Sequence, residues 1–428
     1  MTHELAYLDS LQGSGIRPGL GRMRMFLRAA GNPHRRFPSV LVAGTNGKGS
    51  TAATLASILT AAGYRTALYT SPHLVSIRER WIVDRQPVAA APLRAAIRRL
   101  RAAHQQLGFA PTYFEALTLI AFLLFEDLGV DVAVLEVGMG GRLDATNVVR
   151  PLASLITPIG LDHTEWLGTT IARVAREKAG IIHRGAIALT SADDPAALRV
   201  IAARAAKVGA RLHRLDREVT IERLRTGVDG ISFAYRSRGA TLRLRSPLAG
   251  EHQADNVALA ARAAELLARR FPRIDARAIA AGVAATRWRG RLERFELAGA
   301  QVWVDGGHNP HALRRVAAFV ERHVPEPRAL VFGVLREKDF EEMAAILVPL
   351  FDAVILTEPD SDRAVPARGA KAALAPMFPA VRAIRSPRAA IRAAMEAAPA
   401  VLVCGSLYLA GEAIAFLDGV RDSVDRDQ

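Results

Sequence analysis

At 428 residues, half of them hydrophobic, the chain is globular and too long for one core of ordinary size, so two or three domains are expected. No run approaches the ~20 apolar residues of a membrane span, since the best, residues 117–125, stops at Glu126-Asp127, and the single cysteine, Cys404, excludes an intrachain disulfide. The net charge of +15 admits an ATP-driven nucleic-acid-binding protein, but the arginines are scattered through alanine-rich stretches such as 93–106 and 201–214 without interleaved aromatics; a basic surface for anionic small substrates is expected, with no nucleic-acid or membrane partner.

The start, Met1-Thr2-His3-Glu4, shows no basic n-region followed by an apolar core, so a cytoplasmic protein is expected. Residues 1–38 read as a helix (5–11), a Gly/Pro-rich loop and a second helix (23–30) closed by Gly31-Asn32-Pro33. The apolar run Val40-Leu41-Val42-Ala43 then breaks into Gly44-Thr45-Asn46-Gly47-Lys48-Gly49-Ser50 and continues, alanine-rich, to Ala62. This is strand, glycine loop, helix. Three glycines let backbone N–H groups point inward, the helix offers its positive N-terminus, and Lys48 adds a point charge suited to β/γ-phosphates, so ATP is the expected ligand. Only Thr45 and Asn46 separate Gly44 from Gly47-Lys48, and Gly49 precedes Ser50, which makes this a variant of the common P-loop.

Short β-rich runs (40–43, 66–69, 132–137, 153–156, 186–190) alternate with helical ones, the signature of a parallel α/β sheet. After Arg211 the runs 230–235 and 241–245 read as a hairpin appended to that sheet, followed by helices at 256–269 and 274–286. A second α/β series (301–304, 329–332, 353–356, 401–404) begins after Trp288-Arg289-Gly290-Arg291, and the tail from Asp422 reads as disordered. The expected fold is α/β: a P-loop N-terminal domain with a mainly parallel sheet (1–287), a hinge (288–300) and a smaller, doubly wound α/β C-terminal domain (301–428).

Glu136 closes the run Val132-Ala133-Val134-Leu135 and precedes Val137-Gly138-Met139-Gly140-Gly141. A carboxylate at the end of a parallel strand beside a phosphate loop suits Mg²⁺, a hard cation that takes oxygen ligands and shares substrate phosphates. Asp162-His163-Thr164 and Arg176-Glu177-Lys178-Ala179-Gly180 follow; alone, each reads as structural or solvated.

These segments occur in one order with Tyr69-Thr70-Ser71-Pro72-His73-Leu74, Gly250-Glu251-His252-Gln253-Ala254-Asp255-Asn256, Gly290-Arg291-Leu292-Glu293, Asp305-Gly306-Gly307-His308-Asn309-Pro310 and Cys404-Gly405-Ser406-Leu407-Tyr408. The set closely resembles bacterial bifunctional dihydrofolate synthase/folylpolyglutamate synthase, a branch of the Mur ligase superfamily, from about the N-terminus to residue 410. The resemblance implies an ATP-dependent amide ligase adding L-glutamate to dihydropteroate and to folates through an acyl phosphate. It implies that Asn46, Gly47, Lys48 and Gly49 cradle the triphosphate, that Ser71 and Glu136 hold one Mg²⁺, and that His163 holds a second with Lys178 as a carbamate. Asn256 matches the adenine position, Arg291 a phosphate contact at the hinge and Asp305 a nucleotide contact; Thr112, Tyr113, Phe114, Glu115, Leu143, Asp144 and Ala145 match the pterin-lining segments. A monomer is expected. Two positions depart from the family pattern: Arg289 stands where proline is common before the hinge glycine, and Glu337-Lys338-Asp339 replaces Asp-Lys-Asp.

Overall fold

The computed structural model describes residues 2–426 apart from 16, 298, 376, 377 and 379. The first sheet is built from β1 (Ser39–Ala43), β2 (Thr66–Tyr69), β3 (Trp81–Val83), β4 (Gln86–Pro87), β5 (Val132–Glu136), β6 (Ala153–Ile156), β7 (Ile187–Thr190) and β8 (Arg211–Arg214). Their order is β4-β3-β2-β5-β1-β6-β7-β8, parallel from β2 to β8 with an antiparallel edge of β3 and β4. β1 and β5 are buried throughout, as strands covered by helices on both faces must be. Alternation sends Leu41 and Leu135 to one core with Leu117, Phe122 and Phe125, and Val40, Val42 and Val134 to the other with Leu55, Ile58 and Val257. The strand order reverses at β1, so the crevice beyond its carboxyl end is where a ligand of such a sheet binds.

The hairpin departs from expectation. It gains a third strand and forms a separate antiparallel sheet of β9 (Val219–Gly227), β10 (Gly230–Ser237) and β11 (Thr241–Ser246). The cause is its one apolar face: Ile231, Phe233, Tyr235 and Leu244 are buried in the core shared with the helix Gln253–Leu267, while β8 already occupies the edge of the main sheet.

The second large sheet contains β12 (Glu293–Leu297), β13 (Ala300–Val304), β14 (Arg328–Phe332), β15 (Ala353–Leu356), β16 (Val381–Ala383) and β17 (Ala400–Cys404), in the order β12-β13-β17-β14-β15-β16. Only β12 is antiparallel, and it lies within the stretch read as hinge. The tail also differs from expectation. The last helix, Leu407–Arg426, carries Asp422 through Arg426, because its apolar stripe Leu409, Ala413, Ile414 and Leu417 packs beneath the sheet and the helix propagates from that anchor; residues 427 and 428 lie outside the described residues. Among the described residues no helix is long and apolar enough to cross a membrane.

Candidate active site

The loop after β1 is shaped by close approach. Gly44 and Gly47 have φ of 152° and 85°, and a Cβ at either would collide with Thr157 Oγ1 or with the Asn256 amide. Thr157 Oγ1 donates to the Asn46 carbonyl (2.7 Å) and Thr45 Oγ1 to the Gly160 carbonyl (2.9 Å), fixing the loop from β6. Lys48 opens the helix Lys48–Ala61, and its Nζ curls back to the carbonyls of Gly44 (3.2 Å) and Thr45 (3.0 Å). The loop floors a cavity of about 980 Å³ that also takes in Ser71, Glu136, His163, Lys178, Asn256, Arg291 and Asp305.

Val42 pairs with Glu136, which brings that carboxylate to the loop; the Ser71 N–H donates to its Oε2 at 3.3 Å. Burial raises the Glu136 pKa, and Lys48 opposes that shift. Lys178, in the last turn of the helix Ile171–Ala179, is 5% exposed and donates to the Gly44 carbonyl at 2.7 Å. Burial, with Lys48 nearby, lowers it to about 7. Desolvation within the cleft, with the Lys338 and Lys48 cations, lowers His163 to about 4, leaving a neutral imidazole. Among the described residues no three His, Cys, Asp or Glu side chains are placed to hold a metal ion, so the protein alone builds no metal cage. The pair Ser71 and Glu136 supplies the few oxygen donors that suit a cation completing its shell on phosphate.

The predicted pterin side is mixed. Phe114 lines the cavity and lies against Gly138, whose Cβ would meet Phe114 Cε2 at 2.7 Å. Leu143, Asp144 and Ala145 also line it. Thr112 and Glu115 reach it but form a capping box: Thr112 Oγ1 accepts from the Glu115 N–H (3.2 Å) and Glu115 Oε2 from the Thr112 N–H (2.8 Å), with Arg22 Nε 3.4 Å from that oxygen. The Asp144 carboxylate holds the turn, accepting from Met139 N (3.0 Å), Thr146 N (3.0 Å) and Thr146 Oγ1 (2.6 Å). Tyr113 is not part of the cavity lining, and its ring faces Arg80 with the guanidinium 5.9 Å from its centroid.

The second sheet closes the cleft. Arg291 lines it, and Asp305 accepts from the N–H groups of Leu292 (2.9 Å) and Gly307 (2.7 Å), bracing the exit of β13 against the start of β12. Asn46 and Asn309 exchange amide hydrogen bonds (3.2 and 3.1 Å), and Asn46 Nδ2 lies 2.9 Å from His311 Nδ1. Asp162 takes Lys338 Nζ at 2.6 Å and Asn309 Nδ2 at 3.3 Å, with His308 Nε2 at 3.6 Å. Desolvation would raise the Asp162 carboxyl, but His308 and Lys338 hold it well below the usual range. Sequence reasoning gave Asn309, His311 and Lys338 no role; the pattern Asp305-Gly306-Gly307-His308-Asn309-Pro310 was the available signal, and Lys338 had only its place between two acids.

A strand-end phosphate loop facing a second α/β sheet across a charged cleft has clear counterparts. The Mur ligase middle domain matches residues 42–264 and the Mur ligase glutamate ligase domain residues 290–407. The chain is 35% identical to folylpolyglutamate synthase of Lacticaseibacillus casei over 96% of both chains. It is 38% identical to dihydrofolate synthase/folylpolyglutamate synthase of Mycobacterium tuberculosis over 82% of this chain and 76% of that one. The crystal structure of Mycobacterium tuberculosis folylpolyglutamate synthase complexed with ADP and AMPPCP superposes with a TM-score of 0.90 at 34% identity, covering 97% of this chain and 98% of that one. Two domain models in sequence and full-length likeness in both sequence and fold leave one reading: the chain belongs to the Mur ligase family, in its folylpolyglutamate synthase and dihydrofolate synthase branch.

Proposed function

We infer that the chain is an ATP-dependent amide ligase that joins L-glutamate to dihydropteroate and to folates. One observation carries the reading: the phosphate loop, Glu136 and Lys178 of the first domain face Arg291 of the hinge and Asn309 and Lys338 of the second domain in one cleft. In this reading residues 1–287 and 301–428 work as two domains about a hinge at 288–300.

A carboxylate is a poor electrophile, so one of its oxygens first attacks the γ-phosphorus of ATP and ADP departs. The amine of glutamate then attacks the acyl carbon, the C–O bond breaks, and phosphate leaves. Anion meets anion in the first step, so cations must line the path, and Lys48 and Arg291 are placed to supply them. Asn46, Gly47 and Gly49 hold the triphosphate, with Asn256 at the base and Asp305 setting the second domain against the nucleotide. When bound, Mg²⁺ neutralises phosphate charge; Ser71 and Glu136 would hold one ion, and His163 and Lys178 a second. Lys178 fits that place only as a carbamate, formed when its neutral amine adds CO₂ and sheds a proton; as an ammonium it would crowd Lys48, since both reach the Gly44 carbonyl. Phe114 offers a face for the pterin ring, and Leu143 and Ala145 complete its walls. The acyl phosphate hydrolyses in water, and the Asn46–Asn309 and Asp162–Lys338 contacts draw the second domain over it.

Incubation with ATP, Mg²⁺ and glutamate, with dihydropteroate or tetrahydrofolate as acceptor, tests this. Mass spectrometry should find each acceptor heavier by one glutamyl residue with equal phosphate released. Addition to tetrahydrofolate alone would remove dihydropteroate from the reading, and addition to neither would overturn it.

A further inference from the structure

One turn of helix, Thr164–Leu167, separates the catalytic cleft from a second cavity of about 410 Å³. Glu165, Trp166, Leu167 and Glu177 line both, so the two spaces adjoin along one wall. The second also takes in Arg173 and Arg176, three residues apart on one face of the helix Ile171–Ala179. Among the described residues neither arginine makes an ion pair. Glu177 is already matched, at 3.0 and 3.1 Å, by Arg142 of the catalytic cleft, which leaves Arg173 and Arg176 against Glu165 among the charges that line this space. The Arg173 stem is pinned across Gly168, where an added Cβ would meet its Cδ at 2.6 Å. Trp166, 45% exposed, presents apolar surface at the junction.

Repeated addition poses a geometric problem for such a cleft. The carboxylate to be phosphorylated must return each cycle to the same point beside Lys48 and Glu136, while the substrate grows by one residue. A pteroyl group seated at Phe114 stays there only if the internal glutamyl residues leave the direct path. Each of them carries a free α-carboxylate, so the bulge is anionic and seeks space lined by unpaired cations. We propose that the cavity behind Thr164–Leu167 receives the internal γ-glutamyl residues of lengthened substrates, their α-carboxylates on Arg173 and Arg176 and their methylenes along Trp166. This rests on the reading of the chain as a glutamate-adding ligase.

The test compares the enzyme with its Arg173→Gln/Arg176→Gln double variant, using pteroyl monoglutamate and pteroyl tri-γ-glutamate as acceptors. The variant should keep kcat and KM for the monoglutamate, while KM for the triglutamate rises roughly five- to tenfold, the size expected for two half-screened charge contacts. The Arg173→Lys/Arg176→Lys variant should recover most of that loss, which a merely structural role would not require. Equal effects on both acceptors, no effect on either, or an unmodified enzyme that turns over the monoglutamate but not the triglutamate would each overturn the proposal. Failure of the unmodified enzyme on both acceptors would instead overturn the folate-lengthening part of the reading beneath it.

Discussion

Lys178 and Lys48 reach the same carbonyl oxygen, that of Gly44, at 2.7 and 3.2 Å. Burial lowers Lys178 from 10.5 to about 7, and that displacement has a stability signature. Below pH 7 folded and unfolded chains both hold the proton, and the fold bears the full cost of a buried cation. Between 7 and 10.5 the unfolded chain binds more protons, so this group's contribution to stability rises with pH, and above 10.5 the cost is gone. Lys178→Met should therefore stabilise the metal-free, CO₂-free protein by on the order of a few kcal/mol near about pH 6, with the gain fading towards about pH 10. Melting curves across that range check it, and a pH-independent difference would contradict it. Glu136→Gln keeps shape and removes charge: Tm should hold, while kcat falls on the order of a hundredfold or more. Near-normal turnover in that variant would remove Glu136 from the chemistry. Residue roles were only partly legible. Lys48 and Glu136 stand out because a strand end and a glycine loop dictate where they point. Thr112, Glu115 and Asp144 did not separate so cleanly, since the residue types that bind ligands are those that cap helices and turns, and here their side chains do the capping.

The phosphate-loop helix Lys48–Ala61 is buried along most of its length, held between the sheet and the helices Gln253–Leu267 and Ala276–Ala284. Gly282 permits that contact: a Cβ there would meet Ile58 N at 2.7 Å, and Ser57 Oγ donates to the Gly282 carbonyl at 2.7 Å. Gly282→Ala should cost about 1–3 kcal/mol in stability and weaken ATP binding, because the backbone displaced is that of the helix beginning at Lys48. Calorimetry and nucleotide titration read the two effects, and wild-type values for both would contradict this packing argument. Arg289 forks onto Glu293 (2.8 Å) and Asp418 (2.7 Å), tying the start of the second sheet to the last helix. The strongly apolar strands were legible from their runs of Val, Leu and Ile. β8, reading Arg211-Leu212-His213-Arg214, was not, because an edge strand needs little apolar content and its pairing with β7 is decided by tertiary contact.

Across the whole molecule, closure is written in contacts between side chains far apart in sequence. The Asp162–Lys338 pair is nearly shielded from water, with side chains 11% and 10% exposed, so losing one partner leaves a charge unmatched in the cleft. Lys338→Ala should open the molecule, seen as a larger radius of gyration in solution scattering, and lower kcat/KM by roughly ten- to a hundredfold. Unchanged scattering and kinetics would contradict a latch. No periodicity announces such a pair; two domains were legible from a change of texture near residue 288, but which side chains meet across the cleft depends on how the sheets are placed. The chemistry assigned to the closed cleft makes one demand above the others. The acceptor's carboxylate must be phosphorylated before the amide forms, so one of its oxygens must leave with phosphate. Turnover of dihydropteroate carrying ¹⁸O in its carboxylate, in unlabelled water with ATP and glutamate, should place one labelled oxygen in each phosphate released. Phosphate free of label would contradict the acyl phosphate and, with it, this account of the cleft.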